Sequence, residues 1–330
     1  MPLLLPLFLP LQPVQPAWQD TLREEIRRID DASPGRLGVF AKEIHGETAM
    51  GYEAARPWYL SSVVKLPVAI TVLEKVEKGE ITLDQLVELG PDDKVDGQGP
   101  LLGARPGTKY TVRELLSHML TRSDSTAADL LIRLVGETAV NESARGHAPG
   151  FGTITTLRAV REEAYSEVHP SARQLRSKDF LELKKVPAPK RRDAILRRLK
   201  LKKADALAPS VPEAFERYYA RGLNSASLEA LGAMLEKLGA GRILNPENTE
   251  LRLGWMQKAS TGEKRIKAGL KLGSRFAQKT GTQIARTCAA GIVNEELVLA
   301  ACIEGFGDSK KAEETLKKVG KAVAKAGLLD

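Results

Sequence analysis

The sequence predicts an α/β chain of the α+β sandwich type: an antiparallel five-stranded sheet flanked by the terminal helices, plus a mostly helical lobe. Three observations carry this. A helix-spaced apolar run near the start leads into a short hairpin. Three strand-like runs close the chain ahead of a last helix. The long stretch between them is mostly helical, broken by loops rich in Gly and Pro. With 330 residues, 42% of them hydrophobic, the chain can bury a substantial core.

The elements follow in order. Residues 1–17 are apolar, broken by prolines and too short to span a membrane, and they read as a secretory signal with a weak basic start. Trp18, Leu22, Ile26 and Ile29 fall on one helical face. After Pro34-Gly35 come two strands separated by the turn His45-Gly46-Glu47. A helix is expected from Ser62 through Lys78, with Pro67 near its start, where a missing donor costs least. Thr111-Val-Arg-Glu114 fits a capping box and predicts a helix after it; another is expected over about 125–135. KRRDAILRRLKL reads as a short basic amphipathic helix. Helices also fit 227–238 and 246–258. SRFAQKT, RTCAAGIV and LVLAACIEGF read as strands, and a last helix is expected over about 310–326. Cys288 and Cys302 are equidistant from Glu295, so a hairpin sets them opposite one another. A disulfide is conceivable in an oxidising compartment, but the small apolar neighbours favour two buried free thiols.

Charge is unevenly placed. The net charge is +8, yet residues 158–205 hold 15 Lys or Arg against 7 Asp or Glu, and the rest of the chain is balanced. A solvated helical face is the ordinary account of such a run; contact with an anionic envelope surface is the sharper one. Aromatic residues make up 5%, too few for the stacking platforms of single-stranded nucleic-acid binding, so no nucleic-acid partner is expected. The four histidines are scattered and no metal-ligand spacing occurs, so neither metal nor cofactor is expected.

Three short patterns carry chemistry. In Ser62-Val-Val-Lys65 a helix start places the lysine one turn from the serine, on the same face. A serine hydroxyl needs a neighbouring base, and a lysine serves only when burial or a nearby cation lowers its pKa. Ser123-Asp124-Ser125 lies between two apolar helical runs, where a helix cap is the ordinary reading and a cleft hydroxyl that relays a proton is the functional one. Lys279-Thr280-Gly281-Thr282 puts a lysine inside an apolar strand, which is costly without partners, and Gly281 permits close approach.

Together and in this order, the three patterns resemble those of the serine β-lactamases and penicillin-binding proteins, and class A β-lactamases in particular. KLPVA after Ser62, PGTKYTVRELLSHMLTRSDSTAADLL and TGEKRIKAGLKLGSRFAQKTGT carry the resemblance, which covers most of residues 20–140 and 225–320. It implies a single catalytic unit over 18–330: a sheet lobe (18–60 and 265–330) and a helical lobe (61–264) with a basic insertion at about 170–220. It also implies that Ser62 is acylated, that Lys65 takes its proton, and that Ser123 passes a proton to the departing nitrogen. Lys279 would hold Ser123 and a substrate carboxylate. Ser125, Thr280, Gly281 and Thr282 would line the substrate site, with Arg286 as an extra carboxylate-binding group. The backbone amides of Ser62 and Thr282 would form the oxyanion hole. Two departures stand out. Ser125 replaces the family's usual Asn and cannot make both amide contacts. The glutamate that activates water for deacylation has no matching string; Glu162 lies roughly where it would fall, and a solvated helix glutamate is the better reading of it. The expectation is therefore a periplasmic or secreted serine hydrolase acting on β-lactams with an atypical deacylation step. A D-Ala-D-Ala carboxypeptidase or esterase acting on peptidoglycan peptides is the alternative, and a non-catalytic sensor of the same ligands is the third reading.

Overall fold

The computed structural model describes residues 17–329, so all but the last residue of the expected signal segment lies outside the described residues. Helix α1 (Trp18–Asp31) buries Leu22 and Ile26 and turns Arg23, Glu24 and Arg27 to solvent. Strands β1 (Arg36–Glu43) and β2 (Ala49–Tyr52) form the expected hairpin, and a short β3 (Pro57–Tyr59) follows. One 3₁₀ turn at Ser61–Val64 then leads into α2 (Lys65–Glu77). The regular helix thus starts three residues later than the sequence predicts. Pro67 falls in its first turn, where backbone N–H groups have no intrahelical acceptor. Strands β4 (Leu86–Glu88) and β5 (Lys109–Thr111) pair as a ribbon. Helix α3 (Val112–Thr121) begins at the capping box: Glu114 N donates to Thr111 Oγ1 at 3.1 Å and Thr111 N to Glu114 Oε2 at 2.8 Å.

Helices α4 (Ser125–Val135) and α5 (Glu137–His147) pack beside α2, α6 (Leu157–Ser166) packs on α4, and the basic segment follows. This segment is a folded subdomain of α7 (Ser177–Lys185), α8 (Arg191–Arg198) and α9 (Val211–Tyr219). Its Phe180, Leu183, Ile195, Val211, Phe215 and Tyr218 form a core with Val160, Ala164 and Tyr165 of α6. The periodicity of residues 158–220 revealed only α8, because the other helices are short and their apolar residues are separated by prolines and charges. Strand β6 (Ser225–Ser227) then pairs with β3, and α10 (Leu228–Gly239) and α11 (Pro246–Gln257) complete the helical lobe.

Strands β7 (Phe276–Gln283), β8 (Arg286–Val293) and β9 (Leu297–Glu304) lead to α12 (Ser309–Lys325). The main sheet is antiparallel in the order β2-β1-β9-β8-β7. Side-chain alternation splits it into two faces. Leu37, Val39 and Ala41 meet Leu22 and Ile26 of α1 and Leu316, Val319 and Val323 of α12. Phe40, Cys288 and Ala300 face the helical lobe, where Leu231 and Met234 of α10 cover them. Full burial of the Val, Leu, Ile, Phe and Met side chains among these stabilises by about 1.5–3 kcal/mol each.

One sequence expectation is corrected. Cys288 and Cys302 are directly opposed on β8 and β9, as the hairpin arithmetic predicts, but they form a disulfide rather than two free thiols. Their Cα atoms are 4.1 Å apart. Direct opposition on adjacent antiparallel strands brings the two sulfurs together, whatever the polarity of their neighbours.

Candidate active site

Where the helical lobe meets the sheet, a cleft of about 550 Å³ opens, lined in part by Ser62, Lys65, Ser123, Ser125, Thr280 and Thr282. Three backbone devices bring these together. Ser61, with φ of 51°, reverses the chain between β3 and α2, and its Oγ donates to Thr282 O at 2.8 Å. Ser123, with φ of 56°, does the same between α3 and α4. Its neighbour Asp124 caps α4 by accepting from Ala127 N at 2.8 Å and also holds Leu101 N at 2.8 Å. Gly281 lets β7 run against the Ser62 turn: a Cβ there would lie 2.3 Å from Leu60 O and 3.1 Å from Ser62 N.

Ser62 itself is half-buried and opens to the cleft. Two lysine side chains meet at Ser123, which lines the same cleft. Lys65 Nζ donates to Ser123 O at 2.6 Å and reaches Ser125 Oγ at 3.3 Å and Ser123 Oγ at 3.4 Å. Lys279, fully buried, donates to Ser123 Oγ at 2.8 Å and Thr280 O at 2.9 Å. Burial pulls Lys65 down to about 8 against the opposing charges of Asp124 and Asp129. Burial likewise pushes Lys279 well below the usual lysine range, helped by the cations Lys65 and Arg265. Lys65 can therefore shed its proton near neutral pH.

Opposite, Thr280 and Thr282 present hydroxyls on β7. Thr280 Oγ1 shares a hydrogen bond with Thr261 Oγ1 at 2.7 Å. Arg265 Nη2 donates to Thr282 Oγ1 at 2.6 Å, and Nη1 to Gly281 O at 3.0 Å. This buried guanidinium at the cleft wall escaped the sequence reading, since nothing in the spacing of TGEKRIKAG marks Arg265 apart from its neighbours.

Two expected residues lie elsewhere. Arg286 is not a cleft residue: it is buried, pairs with Glu216 at 2.6 Å and Glu304 at 3.3 Å, and stacks on Tyr219 at 4.5 Å. Glu304 stands directly across the strand pair and α9 delivers Glu216, so the guanidinium is engaged by carboxylates of the chain itself. Glu162 is paired with Arg158 at 2.8 Å on α6, outside the cleft lining. Two other carboxylates line the cleft. Asp96 is paired with Arg161 at 2.5 Å. Asp129 accepts from Leu157 N at 2.7 Å and Arg158 N at 3.0 Å.

The model of the β-lactamase enzyme family matches residues 21–326. The chain belongs to the β-lactamase enzyme family. Within the β-lactamase enzyme family, it is similar to a β-lactamase of Mycobacterium tuberculosis, 24% identical over 277 residues that span 83% of this chain and 72% of that protein. β-Lactamase VEB-1 of Pseudomonas aeruginosa is 28% identical over 124 residues, spanning 37% of this chain and 42% of VEB-1. Among solved structures, an acyl-enzyme complex of a PBP-A variant with penicillin G shares the fold with a TM-score of 0.70 at 18% identity, covering 96% of this chain and 99% of that one. A β-lactamase from Xanthomonas campestris does so with a TM-score of 0.69 at 21% identity, covering 94% and 99%.

Proposed function

We propose that this β-lactamase-family protein is a serine hydrolase that β-lactams acylate at Ser62 and that releases the acyl group slowly. The observation that carries this reading is the pair of buried lysines, Lys65 and Lys279, meeting at Ser123 in the cleft that Ser62 also lines. Neutral Lys65 takes the proton as Ser62 Oγ bonds to the lactam carbonyl carbon. The N–H groups of Ser62 and Thr282 receive the oxyanion. When the carbon–nitrogen bond breaks, Ser123 Oγ gives its proton to the departing nitrogen and takes one back from protonated Lys65, 3.4 Å away, while Lys279 steadies the Ser123 oxygen. The ligand carboxylate sits at Thr280, Thr282 and Arg265.

Slow release follows from the carboxylates at hand. Water attack on an acyl-serine needs a base. Glu162 is held by Arg158, Asp96 by Arg161, and Asp129 has one carboxylate oxygen on Leu157 N and the other on Arg158 N, so none of the three stands ready. The same site suits a D-Ala-D-Ala peptide, whose terminal carboxylate meets the same three groups. Intact-mass spectrometry under excess penicillin tests the reading: the expected result is one added ligand mass on the wild type and none on Ser62→Ala. An unmodified wild type would overturn it. The basic subdomain supports a second part of the proposal, contact with an anionic envelope surface. Lys190, Arg197 and Lys200 face solvent with no acidic partner among the described residues. The disulfide fits an exported protein.

A further inference from the structure

The cleft wall between α5 and α6 hangs on three side chains. Asn141 holds both backbone groups of Ile154, accepting from its N–H at 2.7 Å and donating to its carbonyl at 2.9 Å. Asn224 accepts from Thr155 N at 3.0 Å. Asp129 takes Leu157 N and Arg158 N, one on each carboxylate oxygen. The held segment supplies Thr155 and Leu157 to the cleft and aims α6, which adds Val160 and Arg161. Asp129 differs from the other two clamps in being ionisable. The reason lies in its donors: two N–H groups need two acceptor atoms, and an amide side chain offers one, turning its NH₂ against the second donor.

Asp129 follows Ser125 by one helical turn, so α4 presents both on the same side, toward Lys65 and α6. We propose that Asp129 is a positioning residue for acylation, fastening the α6 wall of the cleft and supplying the counter-charge that keeps Lys65 from losing its proton too readily. Other charges nearby are accounted for. Lys65 is faced by Asp124, the cap of α4, by Asp129 of α4 and by Lys279 of β7. Asp129 is faced by Lys65 from α2 and Glu137 from α5. Arg133 is paired with Asp93, and Arg158 with Asp92 and Glu162. Burial raises Asp129 to about 7, against the two amide bonds and Lys65, which lower it. The fastening therefore weakens as pH falls through neutrality.

The inference rests on the proposed acylation and is tested partly apart from it. In Asp129→Asn the Lys65 ammonium loses an anionic neighbour, so its proton leaves at lower pH. The rising limb of penicillin acylation against pH, read by intact mass, moves acidward by about half a unit, a relative gain of about threefold on the limb. Asp129→Glu keeps the charge and restores the wild-type midpoint. A purely structural role would lower the rate without moving the midpoint, and an unmoved midpoint overturns the proposal. The second readout uses unmodified wild-type protein: amide exchange of Leu157 and Arg158, corrected for its intrinsic pH dependence, rises about fivefold or more from pH 8 to pH 5.5. Constant protection over that range overturns the proposal even if Asp129→Asn does not fold. A wild type that resists acylation but shows the exchange change would sink the proposed function and leave the fastening intact.

Discussion

At the scale of single residues, the decisive group is Lys65. Its pKa is lowered to about 8, so the neutral base is scarce at pH 6 and abundant at pH 9. The acylation rate should climb between those values with a midpoint near 8. Lys65→Arg, which stays protonated throughout, should lose about 10²- to 10⁴-fold at pH 8. A pH-independent wild-type rate would contradict the assignment of Lys65 as base. Ser62, Lys65, Ser123 and Lys279 were legible in the sequence because each belongs to a short local pattern with a chemical reason. Arg265, Asp96 and Asp129 were not, since what matters about them is who stands opposite after folding. Arg286 misled for the same reason: its partners Glu216 and Glu304 lie 70 and 18 positions away in the chain.

At the scale of elements, the close packing of β7 on the Ser62 turn is open to test. Gly281→Ala places a methyl 2.3 Å from Leu60 O, so the strand must retreat, moving Thr282 N away from Ser62 N. Overpacking of this kind costs about 1–3 kcal/mol in stability, and acylation should fall about 10²-fold or more as the oxyanion site widens. Thermal denaturation and adduct kinetics read the two effects separately. Helix α11 carries the opposite opportunity. Arg252 is fully buried, its Nε and Nη1 have no hydrogen-bond partner, and burial lowers its pKa to about 9. Arg252→Met keeps the length and removes the unpaired charge, and should raise stability by about 1–2 kcal/mol. A lower melting temperature would show that the guanidinium has a partner in solution. Long periodic elements such as α4, α10 and the closing strands were readable from their apolar spacing. The short helices α7 and α9 were not, because helices of this length gain their stability from tertiary packing rather than from their own sequence.

At the scale of the whole molecule, the disulfide between β8 and β9 closes a loop of 14 residues, and removing it with Cys288→Ala and Cys302→Ala should cost about 3 kcal/mol. Because both positions lie in a strand pair already fixed by its ladder, acylation should persist in the folded fraction. Chemical denaturation with and without reductant checks the first claim and the mass adduct the second.

The tie between Arg286 and Glu216 bears on how the protein can move. Tyr219 adds a second strut, its hydroxyl donating to Ile284 O at 3.0 Å and its ring lying 4.5 Å from that of Tyr59. The basic subdomain is thus bolted both to β3 and to the β7–β8 turn and cannot swing aside as a gate. Ligands must fit a mouth of nearly constant width, and a chain trimmed of this subdomain would bare Tyr59, Val95 and Val160 to water and clump rather than survive as a smaller enzyme.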